Sequence, residues 1–534
     1  MASVQNQIMW NRLVSIVEEQ AQALIRTAFS TSVREAGDLS AGVYDLRGRM
    51  LAQAVTGTPG HVNAMAESVG HFMREIGVDT MRDGDVYLTN DPWWGTGHLH
   101  DITVCTPAFH RGAHVGFFAC TAHVVDMGGR GFSAEGESLW EEGFQMPPLR
   151  LIAEGQVNDT LVALLRRNVR EPDQVAGDAF ALAACNDVGV RRLRGMMDEY
   201  GLESLEEVAD FIIAASLEAT KAAIAKVPRA KASATMTTDG YATPITIAAT
   251  VETLGDRITV DFTGTSPTDP KGINVPLVYA RAYAAYALKV AIAPEVPNNA
   301  GSLAPFVVTA PEGSIVNARR PDPVALRHVI GHLIPDTVFG ALDRIVPDLV
   351  PAEGAGALCN FQVSLWDGQG GHSEVLTFNS GGTGARPTLD GLNATAFPSG
   401  VMTMPVEATE HAGPVVIHRK ELRPDSGGRG RTRGGLGQYM EVGPRDGWSM
   451  EFRAQLDRMK HPARGRHGGE AGAPTVVELS DGTSYPAKSR FKVPPGQTVR
   501  LAFPGGGGLG DPSERDPEAH ARDLRLGYVT EGAP

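Results

Sequence analysis

Apolar residues set the first divisions of the chain. Trp10, Leu13, Val17, Leu24 and Ala28 recur at helical spacing and predict a long amphipathic helix at the start. From Ser40 the pattern becomes that of strands, and GVYDLRGRMLAQ alternates around Arg47-Gly48 as a hairpin does. Residues 61 to 77 return to helical spacing, and a polar hairpin follows them. From about Asn158 to Ala225 the runs VALLRRNV, FALAACNDVGVRRLRGMMDEYG and VADFIIAASLEATKAAIA each carry an apolar stripe. Near Pro228 the texture changes, and ITIAATVETLGDRITVDFTGTS reads as two β-rich runs around a Gly255-Asp256 turn. Helical text resumes at 277 to 293 and in HVIGHLIPDTVFGALDRI; after about Ala352, glycine and proline become frequent between short strands. No segment repeats at a fixed period. The pattern predicts an α+β, multi-lobed mixed fold. It has an N-terminal α/β region over 1–227, a helical middle, a mixed α/β region over 228–350 and a β-rich, glycine-rich C-terminal region over 351–534.

Length and composition agree with several lobes, because 534 residues exceed the usual size of one hydrophobic core. Apolar residues make up 42% and charged residues 21%, the balance of an ordinary globular protein. A formal charge of -14 argues against nucleic acid as a main partner, since phosphate binding needs a basic face. The N-terminus MASVQNQIMWNRL lacks the basic-then-apolar order of a secretory signal. The longest apolar stretch, PLVYARAYAAYALKVAIAP, is interrupted by Arg281 and Lys289 and predicts a packed helix rather than a membrane span. Four cysteines, none in a C-x-x-C pair, suggest a reducing compartment and no thiolate metal cluster, so a cytoplasmic protein is expected.

The chemistry concentrates in NDPWWGTGHLHDITVCTPAF, residues 90 to 109, and in CTAHVVDMGG, residues 120 to 129, which returns beside it. If DITVCTPAF and HVGFFACTAHV are antiparallel strands around Arg111-Gly112, paired positions sum to about 223. His123 then faces His100 beside Asp101, and His98 lies across from Val125 next to Asp126. On a regular strand His98 and Asp101 would point to opposite faces. Gly95-Thr96-Gly97 supplies an irregular entry that lets them converge. Two imidazoles with one or two carboxylates suit Mn, Fe or Zn, and open positions on such an ion polarise an oxygen or activate water. A single histidine or aspartate at a strand end is usually a surface or turn residue; several in register point to a divalent transition metal. Trp93 and Trp94 read as walls of a core or pocket, and Cys105 and Cys120 as small buried residues.

Several spaced motifs carry a resemblance that covers nearly the whole chain: STSVREAGDLSAGVYDLRGRMLAQA, NDPWWGTGHLHDITVCTPAF, AHVVDMGG, EGFQMPPLRL, VDFTGTS, PVEATE, DSGGRGRTRGGLG and PGGGGLGDPSERDP. In this order they resemble the hydantoinase B/oxoprolinase family, which includes B subunits of ATP-dependent hydantoinases, the matching half of 5-oxoprolinase, and subunits of acetone and acetophenone carboxylases. The resemblance implies a manganese-like metal on His98, Asp101 and His123, with Glu35 as fourth ligand and Asp38 as the competitor. His100 and Asp126 are then the candidates for catalytic or ligand-orienting neighbours.

The resemblance further implies that ATP, with Mg, is handled by a separate A-type subunit, so that the protein works as a hetero-oligomer on a small-molecule substrate. Consistent with this, no G-x-x-x-x-G-K-[ST] occurs in the chain. Gly505, Gly507 and Gly510 fit G-x-G-x-x-G after VRLAFP, but Asp511-Pro512 stands where a dinucleotide fold would begin its helix, and a structural loop is the better expectation. Arg429, Arg431 and Arg433 are candidates to bind an anionic intermediate or face the partner. The implied mechanism divides the labour: the partner phosphorylates an amide or carbonyl oxygen, and this chain acts on the activated intermediate at its metal. No G-x-S-x-G elbow or cysteine nucleophile signature is present, which disfavours covalent catalysis by this chain. Cyclic-amide hydrolysis leads; a ketone-carboxylase subunit and a non-catalytic scaffold are the alternatives.

Overall fold

The computed structural model describes residues 2–55, 58–356 and 358–531, as an α+β molecule with four sheets. The opening helix runs Ala2–Thr27 and buries Trp10, Leu13, Val17 and Leu24, as their spacing demands. Among the described residues no helix is long and apolar enough to cross a membrane.

The first sheet has seven strands, all antiparallel, in the order Met50–Gln53, Leu39–Tyr44, Ala113–His123, Asp101–His110, Val86–Thr89, Leu149–Ala153 and Gln156–Val157. The polar hairpin is therefore central. Its two strands are buried almost end to end, because helices cover both faces. The helices Ala2–Thr27 and Pro172–Tyr200 cover one face, and Pro59–Phe72 covers the other. In the helix Pro172–Tyr200, Gly189 lets Phe118 approach, since a Cβ there would meet the Phe118 ring at 2.4 Å.

A second sheet holds Phe306–Thr309, Ile258–Asp261, Ile245–Thr253 and Lys231–Thr238, with one parallel pair. Strand Ile245–Thr253 buries alternate residues against the helix Ile334–Leu342 and its neighbours. The remaining sheets, one built on Asn360–Trp366 and Ser449–Gln455, the other on Gln438–Pro444 and Val499–Ala502, share a single apolar cluster that includes Phe361, Val363, Phe452, Val442 and Leu501. The largest core runs from Ala21 to Met404, so it crosses both positions, 227/228 and 350/351, where the sequence texture changes.

Next to the paired sheets, glycines pack backbone against backbone. A Cβ on Gly506 would lie 1.9 Å from the Thr383 carbonyl oxygen, one on Gly434 1.9 Å from that of Gly506, and one on Gly382 1.8 Å from that of Gly435. Only hydrogen atoms fit between these segments. The amides of Gly505, Gly506, Gly507, Gly508 and Gly510 donate to the carbonyls of Ala473, Gly435, Glu353, Glu470 and Arg466.

Candidate metal centre

Two departures from regular strand geometry assemble the site. At the tip of the hairpin the pairs His110↔Ala113 and Phe109↔His114 follow the turn at Arg111-Gly112, but a bulge between Ala108 and Phe109 shifts every later pair by one. His123 consequently faces Asp101, not His100, which corrects the register expected from the turn alone. Before the strand, residues 91 to 100 are turns. Gly97 has φ +100, and a Cβ there would meet the Arg327 Cδ at 2.6 Å, so both the backbone and its neighbour require glycine. This irregular entry brings His98 round to the same side as Asp101.

His98, Asp101 and His123 meet, all buried, with one ligand atom from each within 4.8 Å of the others. Asp101 Oδ1 lies 2.7 Å from His98 Nε2 and 3.0 Å from His123 Nδ1. Its Oδ2 accepts from Thr96 Oγ1 at 2.6 Å and from Arg327 Nη2 at 2.5 Å, with His61 Nε2 at 3.0 Å. Burial pushes the Asp101 carboxyl up, yet His61, His98 and Arg327 outweigh it and hold the group well below the usual carboxylate range. Burial, with Arg327 nearby, lowers His98 to about 3, so its ring is neutral.

The hydrogen-bond pattern fits a cation. His98 Nδ1 lies 2.8 Å from the Ala325 carbonyl, an acceptor, so a neutral His98 carries its proton there. Its Nε2 then presents a bare lone pair to a carboxylate oxygen 2.7 Å away. Two acceptors face one another in a buried place, an arrangement that a metal ion between them satisfies. His123 Nε2 and both nitrogens of His100 are buried without partners. The site opens on a chamber of about 20 Å³, lined by Asp38, His61, His98, His123, His328 and His332 among others, which holds about one water-sized occupant.

Of the two carboxylates considered for a fourth ligand, Asp38 reaches this chamber. It is buried, accepts from Thr58 Oγ1 at 3.0 Å and stands 3.5 Å from His61 Nδ1. Glu35 is half-buried at the end of the short helix Thr31–Arg34 and does not line the chamber. His100 stacks beside His123, ring centroids 5.8 Å apart, and against Phe132 at 4.8 Å. Asp126 is committed elsewhere: its carboxylate accepts from the Arg170 side chain and backbone and from Gly128 N.

Local pattern gave no warning of the opposite wall. Arg327 donates to Asp101 and, through Nε, to the Thr96 carbonyl at 2.8 Å, with its guanidinium 4.1 Å from the Tyr279 ring centroid. His328 and His332 are buried, and burial followed by nearby positive groups lowers both well below the histidine range. Their i, i+4 spacing in HVIGH was the one available signal, and it was absorbed into a helical reading. The other residues singled out from sequence lie outside this chamber. Arg429 pairs with Glu470 and Arg431 approaches Glu514, both at the surface, while Arg433 pairs with buried Asp523. The amides of the 505–510 loop are taken by backbone carbonyls, which leaves no phosphate cradle. Trp93 donates from its indole to the Ala318 carbonyl, and Arg320 lies over both tryptophans.

Comparison with known proteins agrees with this architecture. The chain is 30% identical over 556 residues to the B subunit of a "Putative D-/L-hydantoinase" from Pseudomonas sp. (strain NS671), covering 98% of this chain and 92% of that one. It is 27% identical to 5-oxoprolinase 1 of Arabidopsis thaliana over 95% of this chain, which spans 42% of that longer protein. The crystal structure of the ATP-dependent caprolactamase from Pseudomonas jessenii matches with a TM-score of 0.89 at 26% identity, over 99% of this chain and 94% of that chain. Nucleotide-free acetone carboxylase shares the fold, with a TM-score of 0.87 at 19% identity, over 99% of this chain and 78% of that one. The family model for hydantoinase B/oxoprolinase matches residues 2–512, and the chain belongs to that family.

Proposed function

We propose that this chain is the metal-holding subunit of an ATP-dependent cyclic-amide hydrolase and works with an A-type subunit that spends the ATP. The observation that carries the reading is the bare Nε2 of His98 facing the Asp101 carboxylate inside a buried chamber. His98, Asp101 and His123 would hold a divalent Mn, Fe or Zn, with Asp38 as the fourth donor. When bound, such an ion supplies a Lewis acid for an activated oxygen and lowers the pKa of a water. The chain's own residues prepare that place. Ala325 fixes the tautomer of His98, Arg327 and Thr96 hold Asp101 by its second oxygen, and Phe132 walls the chamber from water.

Relatives named as the B subunit of a hydantoinase and as the beta subunit of caprolactamase support hydrolysis of a cyclic amide together with a partner. The carboxylase alternative rests on likeness of fold alone. A scaffold without chemistry leaves the buried histidine cluster without a purpose.

Elemental analysis of protein purified without chelator, with Mn, Fe and Zn supplied, tests the reading. Wild type should carry stoichiometric metal, His123→Ala should lose it, and His100→Ala should retain most of it. Metal-free wild type, or equal behaviour of the two variants, refutes the site. Co-expression with the A-type partner should give one hetero-oligomer by light scattering, and separate species at micromolar concentration refute the division of labour.

A further inference from the structure

A cyclic amide of about eight heavy atoms has several times the volume of a water molecule and cannot occupy a chamber of about 20 Å³. A cavity of about 550 Å³ lies directly behind the chamber wall. Thr58 lines the chamber and Pro59 lines the cavity, while Ser399, which also lines the cavity, has its Oγ 3.0 Å from Thr58 Oγ1. The partition there is the hydrogen-bonded pair Thr58 and Ser399, and Thr58 in turn donates to Asp38.

Val62, Tyr286, Val290, Val296 and Phe397 give this cavity an apolar wall. Its polar side is neutral, for Asn298 Nδ2 donates to Gln53 Oε1 at 2.7 Å and to Asn63 Oδ1 at 2.9 Å. Lys289 is the one charged residue among those described in the lining. Its ammonium is spent on the chain itself, donating to the carbonyls of Ala293 and Val296. A carboxylate entering here would lose hydration and find no uncommitted cation, whereas an uncharged ring with an amide edge meets apolar walls and carboxamides.

We propose that this cavity is the substrate site and that it selects an uncharged cyclic amide, a lactam or a hydantoin, over the carboxylate-bearing 5-oxoproline; this rests on the cyclic-amide reading above. The ring occupies the cavity, and its reacting amide passes the Thr58–Ser399 pair to reach the chamber.

Three probes distinguish the possibilities by ligand-observed NMR on the metal-loaded full-length chain: a seven-membered lactam, 5-oxoproline, and the methyl ester of 5-oxoproline, which keeps the ring and removes the charge. Lactam and ester should bind, and the acid should bind at least roughly tenfold more weakly than its ester. Val296→Trp, which fills the cavity, should weaken both neutral ligands by roughly tenfold or more without changing metal content. Should that variant fail to fold, Phe397→Ala is the substitute, with a weaker loss expected. Equal or tighter binding of the acid, indifference to Val296→Trp, or no saturable binding of any probe overturns the proposal. A complex that hydrolyses no cyclic amide would refute the proposed activity instead, and these binding results would still stand on their own.

Discussion

Glu142 offers the clearest quantitative test of the architecture around His98. Its side chain is 1% exposed; Oε1 accepts from Ala325 N at 2.8 Å, and Oε2 has no partner. Burial pushes the carboxyl up from 4.5 to about 8, against the pull of the Ala325 and Val324 amides. An acid with a raised folded pKa contributes stability that is complete below its unfolded pKa and is lost as pH rises through the folded value. The window is therefore pH 4.5 to about 8. At 1.4 kcal/mol per pKa unit, ionisation costs on the order of 5 kcal/mol by pH 9. Glu142→Gln keeps an oxygen for Ala325 N and cannot ionise. The two proteins should melt together near pH 5, and the variant should be the more stable by several kcal/mol at pH 9, read from urea unfolding of both across that range. A stability difference that does not change with pH refutes the reasoning. Because the Ala325 carbonyl sits at 2.8 Å from His98 Nδ1, Glu142→Gln should also keep its metal, whereas Glu142→Ala, with no oxygen to hold that peptide, should bind metal more weakly.

Other perturbations probe neighbouring links. Arg327→Met breaks a pair whose side chains are 4% and 0% exposed; it should cost about 3–5 kcal/mol in chelator-treated protein and less when metal neutralises Asp101, and equal losses in urea melts of both forms would be wrong for this site. Gly506→Ala forces a Cβ to 1.9 Å from a carbonyl oxygen and should prevent soluble folding. Gly195→Ala, exposed in a helix with nothing within 4 Å, should be neutral or stabilising by up to about 1 kcal/mol, and similar solubility of the two would refute the packing argument. The isolated chain should show no ATPase activity and no ATP binding by calorimetry, since the 505–510 amides are already bonded.

Much of the fold was legible because periodicity survives packing. The three helical runs between 158 and 225 appear as Asp159–Asn168, Pro172–Tyr200 and Glu206–Ile224, and the hairpin at Arg47-Gly48 forms between Leu39–Tyr44 and Met50–Gln53. The His98, Asp101, His123 cluster was legible because one hairpin carries all three. Its register was readable at the tip, where the turn dictates it, and was lost at the bulge, where Val115 is unpaired; Pro107 and Gly116 beside it were the available signals. Glu35 and Asp38 could not be separated from sequence, since the chain turns between them where the short helix Thr31–Arg34 ends, with Gly37 at φ +67. Arg327, His328 and His332 reach the site from more than two hundred positions away, through tertiary packing that their i, i+4 spacing in HVIGH does not reveal.

The glycine segments bear on how the molecule is made. Gly382, Gly434, Gly469 and Gly506 come from four separated stretches, and each is held by its neighbours' backbones rather than by an apolar side chain of its own. Such an assembly has no hydrophobic face with which to form early, and it closes loops of many tens of residues. Its last member can join only after residues 505 to 510 have been translated and have cleared the ribosome. The glycine segments should therefore remain open until that loop arrives, and a chain cut before Pro504 should leave the carbonyls of Gly435, Glu470 and Arg466 without their donors. Pulse proteolysis of nascent chains would see protection there arrive last, in one step, after the N-terminal sheet with the metal site has already become resistant.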